Sequence, residues 1–451
     1  MSNDEHAIVI GGSISGMISA QILSKYFKKV TIIEKDDNLD SQTLRKSVPH
    51  AIHPHILLAK GIDILSSIFP DFIHDIAISG AVRADISKDS EHFVGHDWQP
   101  RFKSSLVCYF CSRRLLESII KKQISKNDKI NFICGIIVMG LVSKNEKITG
   151  VKIKKSDQSY ENGILHGDLI IDASGKNSKT IEWLSSLGYE KPEEIHVDSM
   201  IGYASRYYKI PQLADRETKL TIIFNKPPHF PKMGGIISIE DDKWLVGLYS
   251  IGKDLPSTNE MDFLEFSKNL AHSKVYDMIK NAEPLSQIYG YRMKGGRRIM
   301  YENLSSWPTN FLVIGDAVCT FNPFYGQGMT VAALGGLVLD NCLKKYLSKT
   351  NFGNTFQKKL SKINSRPWLL ATGEDFRWPT TIGDRPNILV KLIQRYADKV
   401  LEITPHSKRA TKSFQSMMHM RQTPLSLFHP TILSCVLWNI LFSNLRLSKH
   451  H

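Results

Sequence analysis

Cysteine is scarce in this chain, with six in 451 residues. That argues against a disulfide-built scaffold, and with no signal-peptide pattern ahead of the first apolar strand it points to a reduced, cytoplasmic setting. Cys108 and Cys111 make one C-x-x-C, but no second pair exists to complete a tetrahedral zinc site. The two read as buried thiols around Tyr109 and Phe110. His50, His53 and His55 lie close together without further ligands nearby, so no metal site is expected. No apolar run reaches the ~20 residues that span a bilayer. The formal charge is +14, yet the basic residues are dispersed and form no continuous arm. Nucleic acid is therefore not an expected partner, whereas an acidic substrate, a carrier protein or a membrane surface is compatible.

What is present is a 42% hydrophobic chain long enough for two or three domains. Its organising stretch is Ala7 to Phe27, AIVIGGSISGMISAQILSKYF. A short apolar strand stops at Gly11-Gly12, a helix follows, and a second apolar strand, Val30 to Ile33, ends in Glu34. This is a βαβ opening with the glycine spacing of a dinucleotide-binding turn, except that Ser13 holds the middle glycine position. The first glycine permits the tight turn and Gly16 lets the helix pack close to the sheet. Between them, Ser13, Ile14 and Ser15 open a helix whose N–H groups and dipole favour an anionic pyrophosphate. Glu34 is placed to accept hydrogen bonds from ribose hydroxyls. A 2′-phosphate would be repelled there, so FAD or NAD fits better than NADP.

A polar loop, Asp36 to Ser47, carries Arg45 and Lys46 as candidate contacts to phosphate or to the edge of a flavin. The run VPHAIHPHILLAKGIDILSSIF then enters a helix at about Ile56, with His53 and His55 near a cofactor or substrate. Ala81 to Val107, with Phe93, Trp98 and Phe102, reads as strands over a pocket. CSRRLLESIIKKQISK reads as a helix capped by Ser112. Arg113 at its start is unfavourable to the helix dipole, which calls for an anionic partner. Lys129 to Lys155 is a strand, a hairpin turning at Asn145-Glu146-Lys147, and a strand. Asp168 to Asp172 is a short strand that runs into Ala173-Ser174-Gly175, a second turn facing the cofactor. His196 to Ser250 holds repeated strands with no crossover helix, hence an antiparallel sheet whose apolar face walls a substrate pocket. Met261 to Lys280 reads as one amphipathic helix.

The second strong signal is Phe311 to Leu343, FLVIGDAVCTFNPFYGQGMTVAALGGLVLDNCL. A strand ends in Gly315-Asp316, and a loop through Asn322-Pro323 and Gly326-Gln327-Gly328 leads to a long helix. Asp316 can accept from a polyol hydroxyl, and the glycine backbone can approach a planar ring. The last hundred residues read as helical, interrupted by TGEDFRWPTTIGDRP. Leu389 to Ile403 carries an amphipathic stripe. Thr431 to Phe442 is apolar for three turns: a core helix, or one lying against a membrane or a greasy channel.

These motifs, in this order, resemble the flavoprotein monooxygenases built like p-hydroxybenzoate hydroxylase. The likeness is greatest to the epoxidases of polyether polyketide biosynthesis, such as those for lasalocid and monensin. It rests on Arg45 to Leu57, Cys111 to Arg113 and Gly315 to Met329, and covers roughly residues 1–350. The resemblance implies bound FAD whose C4a-hydroperoxide passes one oxygen atom from O2 to an apolar, unsaturated small molecule. It assigns Gly11 to Gly16 to the pyrophosphate, Glu34 to the adenosine ribose, Asp316 to the ribityl chain, and Pro323, Gly326, Gln327, Gly328 and Met329 to the isoalloxazine. Lys35, Arg45, Arg113 and Val138 are carried over as further FAD contacts. NAD(P)H is the implied electron donor, directly or through a flavin reductase. No side-chain nucleophile is required, and His53 and His55 are the candidates for an assisting acid.

The expected architecture is α/β: a Rossmann-like FAD-binding domain in three pieces (1–80, 108–190 and 296–350), substrate-domain strands at 81–107, a β-rich substrate domain at 191–295 and a helical region at 351–451. Competing functions on this fold are a flavin reductase of polyprenyl double bonds and a non-catalytic flavin- or lipid-binding protein. A flavin-dependent halogenase is disfavoured because the W-x-W-x-I-P signature is missing.

Overall fold

The computed structural model describes residues 5–37, 45, 48–155, 163–293, 295–347, 349–385 and 388–447. Lys46 and most of its loop lie outside these.

The first strand, β1 (His6–Ile10), is the middle of a five-stranded parallel sheet. The helix α1 (Ile14–Leu23) crosses over to β2 (Lys29–Ile33), which pairs with β1 in register Ala7 to Val30. On the other side β1 pairs with the strand Leu169–Asp172, and that strand with Phe311–Val313. Ile130–Ile133 completes the edge beyond β2. Ala7, Ile8 and Val9 are wholly buried, which explains an unbroken apolar run where a half-exposed strand would alternate. The long helix Gly328–Tyr346 packs on α1, and the fit is close: a Cβ at Gly336 would stand 2.5 Å from Ile18.

The second large sheet has seven strands: Tyr289–Arg292, Ile201–Lys209, Lys243–Ile251, Met233–Ile239, Leu220–Ile223, Ser90–Val94 and Asp97–Trp98, in that order across it. It is antiparallel as expected save at one junction, where Ser90–Val94 lies parallel to Leu220–Ile223. Side chains alternate along each strand. Ile223, Ile236, Val246 and Leu248 pack on Phe263, Phe266, Val275 and Ile279 of two short helices, while Leu220, Ile222, Ile237 and Tyr249 face a cavity on the other side.

Several local expectations are met and some are corrected. The hairpin Ile136–Lys144 to Lys147–Lys155 turns at Asn145 and Glu146, both at positive φ (51° and 60°), as a two-residue turn of this hand requires. The helix expected to begin near Ile56 begins instead at Ala59. The single helix expected over Met261 to Lys280 is two, Glu260–Lys268 and Lys274–Ile279. Ser273 Oγ donates to Asp277 and His272 Nδ1 accepts from Lys274 N, local bonds that restart the chain instead of continuing it.

The C-terminal region is helical: Phe352–Asp375, Ile388–Ile403, Lys408–Met418 and Pro430–Leu447. The last of these is a core helix on one face only. Ile432 and Val436 join a small cluster with Val400 and Ile403, while Leu437, Trp438 and Leu441 are exposed. Among the described residues, no helix is long and apolar enough to cross a membrane.

Candidate functional site

The turn after β1 is built so tightly that side chains are excluded from it. Gly11 has φ +102°, and a Cβ there would stand 2.6 Å from the Ala173 carbonyl oxygen. A Cβ on Gly16 would lie 1.8 Å from the Gly11 carbonyl oxygen. The turn at Ala173-Ser174-Gly175 thus abuts the first turn. Its Asp172 is not a ligand-facing group: the carboxylate accepts from Ser174 N (2.8 Å), Ser178 Oγ (2.5 Å) and Thr180 Oγ1, and so builds the turn itself.

Ser13, the residue in the missing glycine's place, stands at the N-cap of α1 without capping it. Its hydroxyl instead donates to Glu117 Oε1 at 2.6 Å. Glu117 lies four residues after Arg113 on the helix Arg113–Ile124, whose cap Ser112 accepts from Leu115 N as expected. The carboxylate of Glu117 collects both arginines carried by the sequence reading. Arg113 donates to Oε1 from Nε (3.0 Å) and Nη2 (2.9 Å), and Arg45 donates to Oε2 at 3.0 Å. Burial alone would raise the Glu117 pKa, but Arg113, Arg45 and the Ser13 hydroxyl outweigh it and hold the carboxyl below its ordinary range. The anionic partner demanded by Arg113 is therefore Glu117, which the sequence reading missed although its i,i+4 spacing from Arg113 was visible.

Glu34, at the end of β2, accepts from Gly12 N at 2.8 Å and from Arg45 Nη2 at 2.6 Å. Ile136 N donates to the Glu34 carbonyl, which puts Val138 two residues farther along a strand starting at this end of the site. Lys35 is exposed.

Asp316 follows the strand Phe311–Val313 and is half-buried. Among the described residues no group hydrogen-bonds its carboxylate, and burial raises its pKa against the pull of Arg113 and Lys176. Among the described residues, the hydroxyl of Ser15 and the Oε1 of Gln327 are buried without partners. Around Gly328 a Cβ would meet nothing within 4 Å. A glycine-lined cradle, an unpartnered carboxylate and unpartnered buried polar atoms fit a dinucleotide with a polyol chain and a flat ring.

The Asn322–Gly326 loop is held from behind. Asn322 Oδ1 accepts from Phe324 N, Gly326 turns in the left-handed region, and Asn322 Nδ2 donates to Asp375 at 2.5 Å. Beyond Pro323–Gly326 lies a cavity of about 150 Å³, walled by the seven-stranded sheet, by Pro54, Ile56 and Leu58, and by Phe414, Gln415, Met418 and His419 from the C-terminal region. Pro54 and Ile56 flank His55. His53 is buried, with its Nδ1 2.9 Å from Ser205 Oγ and its ring edge-on to Tyr203 at 4.5 Å. His55 Nδ1 meets the His53 carbonyl at 2.8 Å. Burial pushes His53 down to about 4, and burial with Arg113 and His50 nearby pushes His55 down as well, so both are neutral imidazoles.

Sequence reasoning found neither Asp375 nor the cluster His92, Gln99, Gln415 and His419. Asp375 is joined to Asn322, Gln415 to His92 and Gln99, and His419 to Ala59 and Cys108, by hydrogen bonds between segments far apart in the chain, and no spacing announces them.

No protein-family profile matches the chain. Protein Rv3254 of Mycobacterium tuberculosis is 26% identical over 381 residues, 81% of this chain and 79% of that protein. The FAD-dependent monooxygenase asqG of Emericella nidulans is 21% identical over 370 residues, 76% of this chain and 60% of that protein. Among solved structures, a flavoprotein/dehydrogenase from Cytophaga hutchinsonii superposes with TM-score 0.65 at 15% identity, covering 98% of this chain and all of that one. A triple mutant of the flavin-dependent brominase Bmp2 gives 0.62 at 16%, covering 92% and 99%. PqsL of Pseudomonas aeruginosa, a probable FAD-dependent monooxygenase, gives 0.60 at 14%, covering 83% and 98%. The fold is that of the FAD-dependent monooxygenases and halogenases.

Proposed function

We propose that the protein is an FAD-dependent monooxygenase that transfers one oxygen atom from O2 to an apolar, unsaturated small molecule, by epoxidation or hydroxylation. The observation that carries this reading is the apolar cavity ending on Pro323–Gly326, in a chain whose first turn, at Gly11 and Gly16, leaves no room for side chains. In this reading Gly11, Ser13, Ile14, Ser15 and Gly16 hold the pyrophosphate, and Glu34, Lys35 and Val138 the adenosine end. Arg45 and Arg113 supply positive charge beside the phosphates, and Asp316 takes the ribityl hydroxyls. Pro323, Gly326, Gln327, Gly328 and Met329 lie along the ring.

FAD, when bound and reduced, supplies the activation of O2. The chain supplies the rest. The cavity excludes water and orients the substrate against the loop. Neutral His53 and His55 are the groups available to hold or move a proton, His53 at the ring nitrogen not engaged by Ser205. Electrons come from NAD(P)H, directly or through a separate flavin reductase, and the likeness to polyether epoxidases favours epoxidation of an alkene.

The test is to load the protein with FAD, reduce it anaerobically, and admit O2 with a panel of alkenes. Products heavier by one oxygen support the reading. A gain of two hydrogens under anaerobic turnover replaces it with a double-bond reductase, and failure to take up FAD removes every flavin reading.

A further inference from the structure

Six side chains lining the cavity carry polar atoms. Two are phenols, Tyr249 and Tyr325, the latter donating to Asp375; the other four are His92, Gln99, Gln415 and His419. Their hydrogen bonds can be assigned one after another. Thr404 Oγ1 donates its one proton to the Leu401 carbonyl at 2.8 Å, so it accepts from Gln99 Nε2 at 3.0 Å. Gln99 Oε1 is then the acceptor that faces Gln415, and the Gln415 atom 3.0 Å away is the donor Nε2. The second hydrogen of that amide points to His92 Nδ1 at 3.2 Å, while Gln415 Oε1 accepts from Ser87 Oγ at 2.6 Å. His92 Nδ1 therefore accepts, and the proton of the neutral ring sits on Nε2.

His419 reaches the same state by another route. The backbone N–H of Ala59, which can only donate, faces its Nδ1 at 3.3 Å, with Cys108 Sγ 3.4 Å from the same nitrogen. Its proton is also on Nε2. Burial holds both rings neutral, pushing His92 down to about 4 and His419 to about 3. Among the described residues, no group hydrogen-bonds either Nε2, and no Asp, Glu, Lys or Arg lines the cavity.

We propose that the Nε2–H groups of His92 and His419 are the polar seat of the substrate pocket, and that the substrate is an apolar molecule bearing a neutral oxygen acceptor, of the carbonyl class, which docks there. The proposal rests on reading this cavity as the substrate pocket. A pure hydrocarbon would leave two buried donors unpaired, and a carboxylate would enter a pocket lined by no cation.

A matched set of probes tests it by calorimetric binding to the full chain, with FAD uptake followed separately by absorbance: 2-acetylnaphthalene, its near-isostere 2-ethylnaphthalene, and 2-naphthoate. The native protein should bind the ketone about tenfold more tightly than the ethyl compound. His92→Phe or His419→Leu should collapse that ratio while leaving 2-ethylnaphthalene binding intact, which reports a folded pocket. His92→Gln, which keeps an N–H donor, should restore part of it. Equal affinities in the native protein, a ratio unmoved by both substitutions, or tightest binding of the naphthoate would overturn the proposal. Because no turnover is read, a protein that prefers the ketone yet oxygenates nothing would sink the monooxygenase reading and leave this one standing.

Discussion

The phenol of Tyr325 donates to a carboxyl oxygen of Asp375 at 3.1 Å, and the Asn322 amide reaches the same oxygen at 2.5 Å. One residue near the end of the long helix Phe352–Asp375 thereby holds both ends of the loop under the cavity. Asp375 is almost wholly buried, and burial raises its pKa to about 7 against the hydrogen bonds from Asn322 and Tyr325. The folded state therefore keeps a proton that the unfolded chain releases, and this contribution to stability is lost as pH rises through that value. Thermal scans at about pH 5 and about pH 8 should show the native protein losing ground to Asp375→Asn at the higher pH. Asp375→Leu, which strips the acceptor from two buried donors, should cost about 1–3 kcal/mol at either pH.

Glu117 is the shared counterion of Arg45 and Arg113. Its pKa is depressed, so its contribution is present above the ordinary carboxyl range and is lost as pH falls through the folded value. Glu117→Gln should cost about 3 kcal/mol in denaturant unfolding near neutrality, because the largely buried Arg113 guanidinium loses its carboxylate partner while Arg45 keeps Glu34 and Asp36. The gap should narrow on acidification; a gap that widens would refute the assignment.

In the proposed function Asp316 serves the cofactor and not stability. Asp316→Asn should raise the melting temperature of the FAD-free protein, since it removes a half-buried charge that no group among the described residues hydrogen-bonds, and weaken FAD binding by about tenfold or more. Loss of both stability and cofactor affinity would point to a structural role instead.

Two glycines separate packing from ligand approach. Gly16→Ala should destabilise the fold by about 2 kcal/mol or more, because its Cβ falls on the Gly11 carbonyl. Gly328→Ala has open space around it, so the fold should survive while FAD uptake drops. If Gly328→Ala binds FAD normally, the ring does not lie at Gly328.

Buried neutral imidazoles set the acid limit. His50, His53 and His92 are pushed to about 4 and His419 to about 3, burial being the main cause in each. Below the ordinary histidine pKa the unfolded chain takes up protons that the folded chain refuses, so stability falls as pH drops from about 6.5 toward 4. Asp375, Asp316 and Glu374, each raised by burial, work in the opposite sense over part of that window, against a larger set of lowered imidazoles that also includes His55. Unfolding near pH 5 should show a net uptake of protons, measurable from the pH dependence of the denaturant midpoint.

Legibility followed the range of the interactions. The turn at Gly11–Gly16 and the hairpin at Asn145-Glu146 were readable because a glycine or turn residue answers to the backbone within a few positions of itself. Glu117 was readable in principle, one helical turn from Arg113. The parallel pairing of Ser90–Val94 with Leu220–Ile223 was not, since both segments are merely apolar strands and nothing local names the partner. The break between Lys268 and Lys274 was not, since Ser273 and Asp277 set it without the glycine or proline that would mark it.

The chain by itself determined the βαβ opening, the second glycine loop and their order. These depend on backbone sterics and on apolar periodicity, which are properties of short segments. Only the tertiary structure decided what the cavity presents to a ligand. The proton on His92 Nε2 is set by Gln415, Gln99 and Thr404, and Gln415 stands 323 residues away along the chain. A tautomer depends on which donor the fold brings against the other ring nitrogen, and that meeting is arranged by packing of the C-terminal helices over the sheet.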